Sequence, residues 1–424
     1  MVIGGGGREH AIVSRLASEP DIEEIVCCPG NPGIATLARA VRADPRDLAS
    51  LSLLARNERI DFTVVGPELP LSLGLADHFQ ARGQPVCGPS AAAARLESSK
   101  AFAKAFMDRH GIPTARYRVC DDLATAMAVV DSAELGFPLV LKADGLAAGK
   151  GVVIAADRVD AESATLAAMR DRRFGEAGAR LVLEECLTGP EVSFFAVADG
   201  TRAVAIGTAQ DHKRIFDGDQ GPNTGGMGAF APSPLVGQRL HDQIMRGIVE
   251  PVVSGMAAEG YPYHGFLYVG LILTAAGPKV IEFNVRLGDP EAQVVLPLLA
   301  QPLLPMLVAA ASGRLPHEAC LHLPETRVGV VLASRGYPES SEAGQAITGI
   351  DQADALPDVS VFHAGTARRE GQIVTSGGRV LTVVGRGDDY GEAIARAYDG
   401  VRLISFDGMQ YRRDIGRKAL ESTA

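Results

Sequence analysis

Val280-Ile281-Glu282-Phe283-Asn284-Val285-Arg286 alternates apolar and polar residues along its length. On a β-strand, successive side chains point to opposite faces, so Glu282, Asn284 and Arg286 project together while Ile281, Phe283 and Val285 face a core. The polar face offers a carboxylate and an amide oxygen, the hard ligands that Mg²⁺ prefers, beside a guanidinium suited to phosphoryl or carboxylate oxygens. Alone, the stretch also fits an ordinary edge strand. Its neighbours in the chain separate the two readings.

Upstream, an apolar strand ending Leu139-Val140-Leu141-Lys142 enters the loop Ala143-Asp144-Gly145-Leu146-Ala147-Ala148-Gly149-Lys150-Gly151. Small residues let backbone approach phosphates closely, and Lys142 and Lys150 supply charge. The GxxxxGK[ST] spacing fails, so this is not a Walker A loop; a hairpin with solvated lysines is the other reading. A strand over Val152–Ala155, a helix near Ala161–Arg170 and a strand over Leu181–Glu185 follow. The last breaks at Glu184-Glu185-Cys186-Leu187, ahead of Gly189-Pro190-Glu191. Such a strand end can present backbone groups to an adenine edge and a carboxylate to ribose hydroxyls. Before them, Ser98 is read as the N-cap of a helix over Ser99–His110 that closes at Gly111. Phe102 and Phe106 mark its buried stripe, and Lys100 lies off it.

The amino-terminal hundred residues alternate short apolar runs (Met1–Ile3, Ile25–Cys28, Phe62–Val65, Pro85–Cys87) with amphipathic helices (Arg8–Ser18, Pro45–Asn57, Ser72–Arg82). That alternation predicts an open parallel α/β sheet. The loops Gly4–Gly7, Pro29–Gly33 and Gly66–Glu68 then lie at carboxyl strand ends, where ligands gather. GxGxxG fails in both registers, at Glu9 and at His10, so a small-metabolite phosphate fits the glycine run better than a dinucleotide. After Arg314 strands prevail (Arg327–Ala333, Gln372–Thr375, Val380–Val384), with one helix, Tyr390–Val401. The expected units are residues 1–97, 98–313 and 314–424.

Composition narrows the class. A net charge of −10 leaves no basic excess for nucleic acid. The six cysteines (Cys27, Cys28, Cys87, Cys120, Cys186, Cys320) form no CxxC pair, which fits reduced thiols in a cytoplasmic protein. No signal peptide is expected, since the sequence opens directly on Met1-Val2-Ile3 followed by glycines. Ala292–Ser312 carries no charge, but Pro297, Pro302 and Pro305 interrupt it, so it reads as two short buried helices rather than a membrane span.

The order Lys100, Lys142 with its glycine loop, Glu184-Glu185-Cys186-Leu187, then Glu282-Phe283-Asn284 resembles the ATP-grasp ligases. Within that superfamily the chain is similar to the glycinamide ribonucleotide synthetase family. The resemblance rests on Gly4-Gly5-Gly6-Gly7-Arg8-Glu9-His10, Pro29–Gly33, Gly66-Pro67-Glu68, Lys142–Gly151 and Gln210-Asp211-His212-Lys213-Arg214. It rests further on Gly221-Pro222-Asn223-Thr224-Gly225-Gly226-Met227-Gly228, Arg286-Leu287-Gly288-Asp289-Pro290-Glu291, Asp407-Gly408-Met409 and Tyr411–Gly416. The start is a few residues short of the family's usual first strand.

The resemblance implies a central ATP-grasp fold of two α+β subdomains, between the parallel sheet and a small strand-rich carboxyl-terminal domain. It implies ATP-driven amide formation between glycine and 5-phosphoribosylamine through glycyl phosphate, a step of de novo purine biosynthesis. ATP contacts fall on Lys100, Lys142, Gly149, Lys150, Gly151 and Glu184, on the Glu185 and Leu187 backbones, and on Glu191. Glu282 and Asn284 would hold Mg²⁺ or Mn²⁺; the preceding strand, Phe266–Leu271, offers no second acid. Arg286 would hold the glycine carboxylate and the transferring phosphoryl group, its alternative being a structural pair with Asp289. Asp211 would take the glycine ammonium and Lys213 the developing phosphate charge, unless the run is simply solvated. Gly225, Gly226 and Gly228 would let a loop close over the acyl phosphate. Gly6, Gly7, Asn31 and Glu68, with Asp289 and Glu291 opposite, would hold phosphoribosylamine. His10 and His212 read as structural. No nucleophilic Ser or Cys is expected, and the partners are small molecules acting on a monomer. The rival readings are another ATP-grasp carboxylate–amine ligase or carboxylase, a turnover-free nucleotide sensor, and a dinucleotide oxidoreductase.

Overall fold

The computed structural model describes residues 1–146 and 151–423. Its amino-terminal sheet has five parallel strands in the order Arg39–Ala40, Val26–Pro29, Val2–Gly4, Thr63–Val65, Val86–Cys87. The order reverses at Val2–Gly4, so a crevice opens between the loops that follow Gly4 and Val65. Helix Gly7–Ala17 buries Ile12, Val13 and Leu16 against this sheet, each contributing roughly 1.5–3 kcal/mol of burial. Its first turn holds Glu9, whose carboxylate accepts from Gly6 N at 2.5 Å. Gly4 has φ +122°, and a Cβ there would stand 2.5 Å from Glu9 Cγ, so only glycine lets the strand pass the buried acid.

The central region has two sheets. One has four antiparallel strands, Tyr117–Cys120, Leu181–Glu185, Leu139–Ala143 and Val152–Ala155 in spatial order. The other has eight strands and runs from Gly277–Asn284 at one edge through His264–Thr274, Glu191–Asp199, Ala203–Asp211 and Gly228–Ala231. It continues without a break into Thr326–Ala333, Arg379–Gly387 and Val359–His363. The strands predicted beyond Arg314 therefore extend the central sheet, except the ribbon Thr366–Arg369 with Gln372–Thr375. The uncharged stretch forms the short helices Glu291–Val295 and Leu303–Ala311, packed in the core. Among the described residues no helix is long and apolar enough to cross a membrane.

Three local expectations need correction. Ser99, not Ser98, caps the helix Lys100–Arg109 by accepting from Phe102 N, because Ser98 already ends a preceding turn, Arg95–Ser98. The helix predicted over Ser72–Arg82 splits into Glu68–Ser72 and Leu75–Gln80, since Gly74 takes φ +87° between them. Ile281 does not face the core. Leu271 pairs with Val280 and Gly270 with Glu282, so Ile281 is the extra residue of a β-bulge and turns to the same side as Glu282. Val280, Phe283 and Val285 fill the core instead.

Candidate active site

A cleft of about 540 Å³ lies where the two central sheets and the amino-terminal crevice meet. Strand Gly277–Asn284 forms its floor. Glu282 and Asn284 both line it, and among the described residues neither side chain has a hydrogen bond or an ion pair within 4.0 Å. Burial alone would raise the Glu282 pKa, but Lys213, Lys142, Lys100 and Arg286 outweigh it and hold the carboxyl below its ordinary value. One charged and one neutral oxygen donor, unpartnered among the described residues and with four cationic side chains nearby, fit a divalent ion that takes its other ligands from polyphosphate and water. Among the described residues no cluster of three or more His, Cys, Asp or Glu forms a self-sufficient metal site.

The four-stranded sheet and helix Lys100–Arg109 make the roof. Asp144 ties them together, accepting from Ser99 Oγ at 3.0 Å and Ala101 N at 3.1 Å. Lys100 Nζ donates to Gly145 O at 3.1 Å, and burial lowers its pKa. Lys142 Nζ lies 3.0 Å from Glu184 and donates to Ile281 O at 2.8 Å. Glu184 is also 2.9 Å from Lys104, which donates to Thr114 Oγ1 at 2.7 Å. Glu184 is thus a counter-ion braced between two buried lysines, and its carboxylate is not left for ribose or adenine. The Glu185 carboxylate turns to Arg116 (2.7 Å) and Lys279 (3.4 Å), leaving backbone at the cleft, with Leu187 and Gly151 on the same lining. Gly149 and Lys150 lie outside the described residues.

The eight-stranded sheet supplies the third wall. Strand Ala203–Asp211 delivers Asp211, and Lys213 follows it into the cleft, 2.6 Å from Glu191. Burial raises the Asp211 pKa to about 7, helped by Glu291, Glu191 and Glu282 and opposed by Lys213. Burial works against the Lys213 charge, but Asp211, Glu191 and Glu282 more than offset it and its pKa stands well above the ordinary value. The run is not a solvated one: His212 between them is buried, accepts from Gly416 N at 3.1 Å, and has its pKa lowered to about 3 by burial. Gly226 takes φ +113° against Pro290, and Gly225 N donates to Tyr337 Oη at 2.9 Å. Gly228 lies one step back, within the sheet.

At the crevice end, Arg286 pairs with Glu97 (2.8 Å) and Glu68 (3.2 Å), not with Asp289. Asp289 instead faces Arg379 at 3.6 Å and accepts from Gln293 and from Arg8 N. Glu291 lines the same end, with Ser193 Oγ 3.4 Å away. Gly6 and Gly7 stand behind Asp289, and the Gly6 N–H is already taken by Glu9. Asn31 does not reach the cleft lining. Its amide donates to Gly5 O (3.0 Å) and His363 O (2.9 Å) and accepts from Ile34 N (2.9 Å), so its hydrogen-bonding capacity is spent joining the crevice to the carboxyl-terminal region. His10 has the structural place expected of it, accepting from His363 N at 2.8 Å.

Sequence reading missed Lys104, Arg8, Glu97, Tyr268 and Arg379, all of which line the cleft. Lys104 had a signal, since it follows Lys100 by one helical turn. Arg379 had none: it reaches the cleft by pairing of distant strands, and donates to the carbonyls of Gly225 and Asp289.

Comparison with known proteins agrees with this architecture. Profiles of phosphoribosylglycinamide synthetase match residues 1–97 (N domain), 98–292 (ATP-grasp domain) and 327–418 (C domain). A phosphoribosylamine–glycine ligase of Caulobacter vibrioides is 51% identical over 99% of this chain and 98% of its own length. That of Ralstonia nicotianae is 48% identical over 99% of both. The crystal structure of the Thermotoga maritima phosphoribosylamine–glycine ligase superposes with a TM-score of 0.83 at 33% identity, covering 97% of this chain and 98% of that one. A biotin carboxylase domain from Hydrogenobacter thermophilus, solved with MgADP and bicarbonate, shares the fold alone (TM-score 0.73, 17% identity, 97% and 91% covered). With identity of this order along its whole length, the chain belongs to the phosphoribosylglycinamide synthetase family, the ATP-grasp enzymes that act as phosphoribosylamine–glycine ligases.

Proposed function

We propose that the ligation proceeds through glycyl phosphate, with each half-reaction served by one end of the cleft. A glycine carboxylate oxygen attacks the γ-phosphorus of ATP, the bond to the β-bridging oxygen breaks, and ADP leaves. The amine of 5-phosphoribosylamine then attacks the acyl carbon. The C–N bond forms, the C–O bond to phosphate breaks, and the amine proton passes to the departing phosphate or to water. Neither step needs a covalent protein intermediate; placement and charge neutralisation carry the rate.

The observation that carries this reading is the pair Glu282 and Asn284, unpartnered among the described residues and facing Lys100, Lys142, Lys213 and Arg286. A Mg²⁺ or Mn²⁺ ion held by that pair would neutralise polyphosphate oxygens. Lys100, Lys142 and Gly151 face the phosphates, with Gly149 and Lys150 assigned from sequence. The Glu185 and Leu187 backbones take adenine. Glu191 takes ribose, which requires it to release Lys213 for the transferring phosphoryl group. Arg286 and Asp211 grip the two ends of glycine, while Gly225 and Gly226 cover the acyl phosphate. Glu68, Asp289 and Glu291 receive the amine substrate, in front of Gly6 and Gly7.

ADP release with glycine and freshly generated phosphoribosylamine, omitting each in turn, tests the reading. Release that needs both substrates and ignores bicarbonate is expected. Bicarbonate-dependent release would place the chain with the carboxylases instead.

A further inference from the structure

The sequence block Tyr411–Gly416 contributes nothing to the cleft lining, yet it contains the largest fully buried side chain described, Arg412. Its guanidinium makes a two-pronged pair with Asp414 (2.8 and 2.6 Å). It also reaches Asp219 Oδ1 at 2.8 Å and Arg214 O at 3.1 Å. Those last two belong to a ribbon, Arg214–Phe216 with Gln220–Asn223, whose tip is Asp217–Asp219. Further ties bind the same tip. Gly218 N donates to Asp414 (2.9 Å), Arg413 N to Asp217 (2.7 Å), and Lys418 Nζ lies 2.7 Å from Asp219.

The ribbon's other end is the cleft. Asp211 and Lys213 enter it and Asn223, Thr224 and Gly225 leave it, all of them lining residues. The two legs are held in register there by Thr224 N to Lys213 O (2.7 Å) and Met227 N to His212 O (2.8 Å). Asp219 itself adopts φ +55°, a left-handed conformation that costs a non-glycine residue energy and needs outside support. A two-stranded ribbon is marginal alone, so its angle to the cleft depends on what grips the far end.

We propose that Arg412, acting through Asp219, is a positioning residue that sets the ribbon Arg214–Asn223 so that Lys213 and the Thr224–Gly225 turn together enclose the acyl phosphate. This rests on the role given to Lys213 above. Loosening the tip lets the turn lift, so water reaches the mixed anhydride before the amine does. Phosphate is then released without amide being made.

The test uses Asp219→Gly in the full chain. Glycine accepts the left-handed conformation freely, so the substitution removes the ion pairs without adding strain. Phosphate and amide product are measured together, with ADP affinity by titration calorimetry. Phosphate should exceed product by about threefold or more, the glycine KM should rise about tenfold, and ADP affinity should stay within about twofold. Lys418→Ala, which leaves Arg412 in place, should remain coupled. One phosphate per product in Asp219→Gly, whatever its thermal stability, overturns the proposal, as does equal uncoupling by Lys418→Ala. Lys213→Ala in the unaltered background separates the two readings. If it uncouples and Asp219→Gly does not, only the positioning role fails; if it leaves turnover intact, the role of Lys213 itself fails.

Discussion

Asp211→Asn offers a quantitative probe of the cleft's electrostatics. In the free enzyme burial lifts the Asp211 pKa from 3.8 to about 7, with three nearby carboxylates reinforcing the shift against Lys213. An acid whose folded pKa is raised keeps a proton that the unfolded chain gives up. Its contribution therefore destabilises the fold progressively as pH climbs from about 4 to about 7, and is constant above that. Asparagine imitates the protonated acid and removes this dependence. Between ~pH 5.5 and ~pH 8 the parent still crosses ~1.5 units of the window, worth ~2 kcal/mol at 1.36 kcal/mol per unit. The variant should thus gain ~2 kcal/mol on the parent between those two pH values, by urea unfolding. Comparing the two proteins cancels the other groups whose pKa burial raises, such as Glu9 and Glu97. Activity should move the opposite way: losing the charge-assisted hydrogen bond proposed between Asp211 and the glycine ammonium would cost ~1.5–3 kcal/mol, about a 10- to 150-fold rise in glycine KM. A stability gap that is the same at both pH values would show Asp211 already ionised beside Lys213 and would refute the raised pKa.

Three further outcomes are expected. Glu282→Gln should lower kcat by roughly 10²–10³ with a small change in melting temperature, since among the described residues the side chain has no hydrogen bond or ion pair; comparable losses of both would mark it as structural. Lys104→Met should cost about 3 kcal/mol in chemical unfolding by leaving Glu184 with Lys142 alone, and should weaken ADP binding as Lys142 is drawn onto that carboxylate. An unchanged ADP affinity would show that the brace does not act through Lys142. Asn31→Ala should lower stability by about 2–3 kcal/mol through its three lost hydrogen bonds, with little effect on the phosphoribosylamine KM; a selective KM effect would return Asn31 to the substrate.

Much of the architecture was legible because it is local. Alternation along Val280–Arg286, the glycine loops at strand ends and the strand–helix rhythm of the first hundred residues each depend on neighbours a few positions away. Backbone geometry reports such neighbours through periodicity. The family motifs then placed Lys100, Lys142, Asp211, Lys213, Glu282 and Asn284, and the fold brings these six to one cleft.

What the residue order could not show is which buried charges find one another. Glu184 looks like a ligand for the nucleotide until two lysines close on it, and Asn31 looks like one for substrate until its amide meets His363 O. The bulge that turns Ile281 beside Glu282 depends on its partner strand, and Arg379 and Arg412 act on residues more than a hundred positions away. A charged side chain commits to a partner only once burial has stripped it of water, and burial belongs to the assembled chain. Chemistry was therefore written along the sequence, while the distinction between a group that meets substrate and one that props it came with packing.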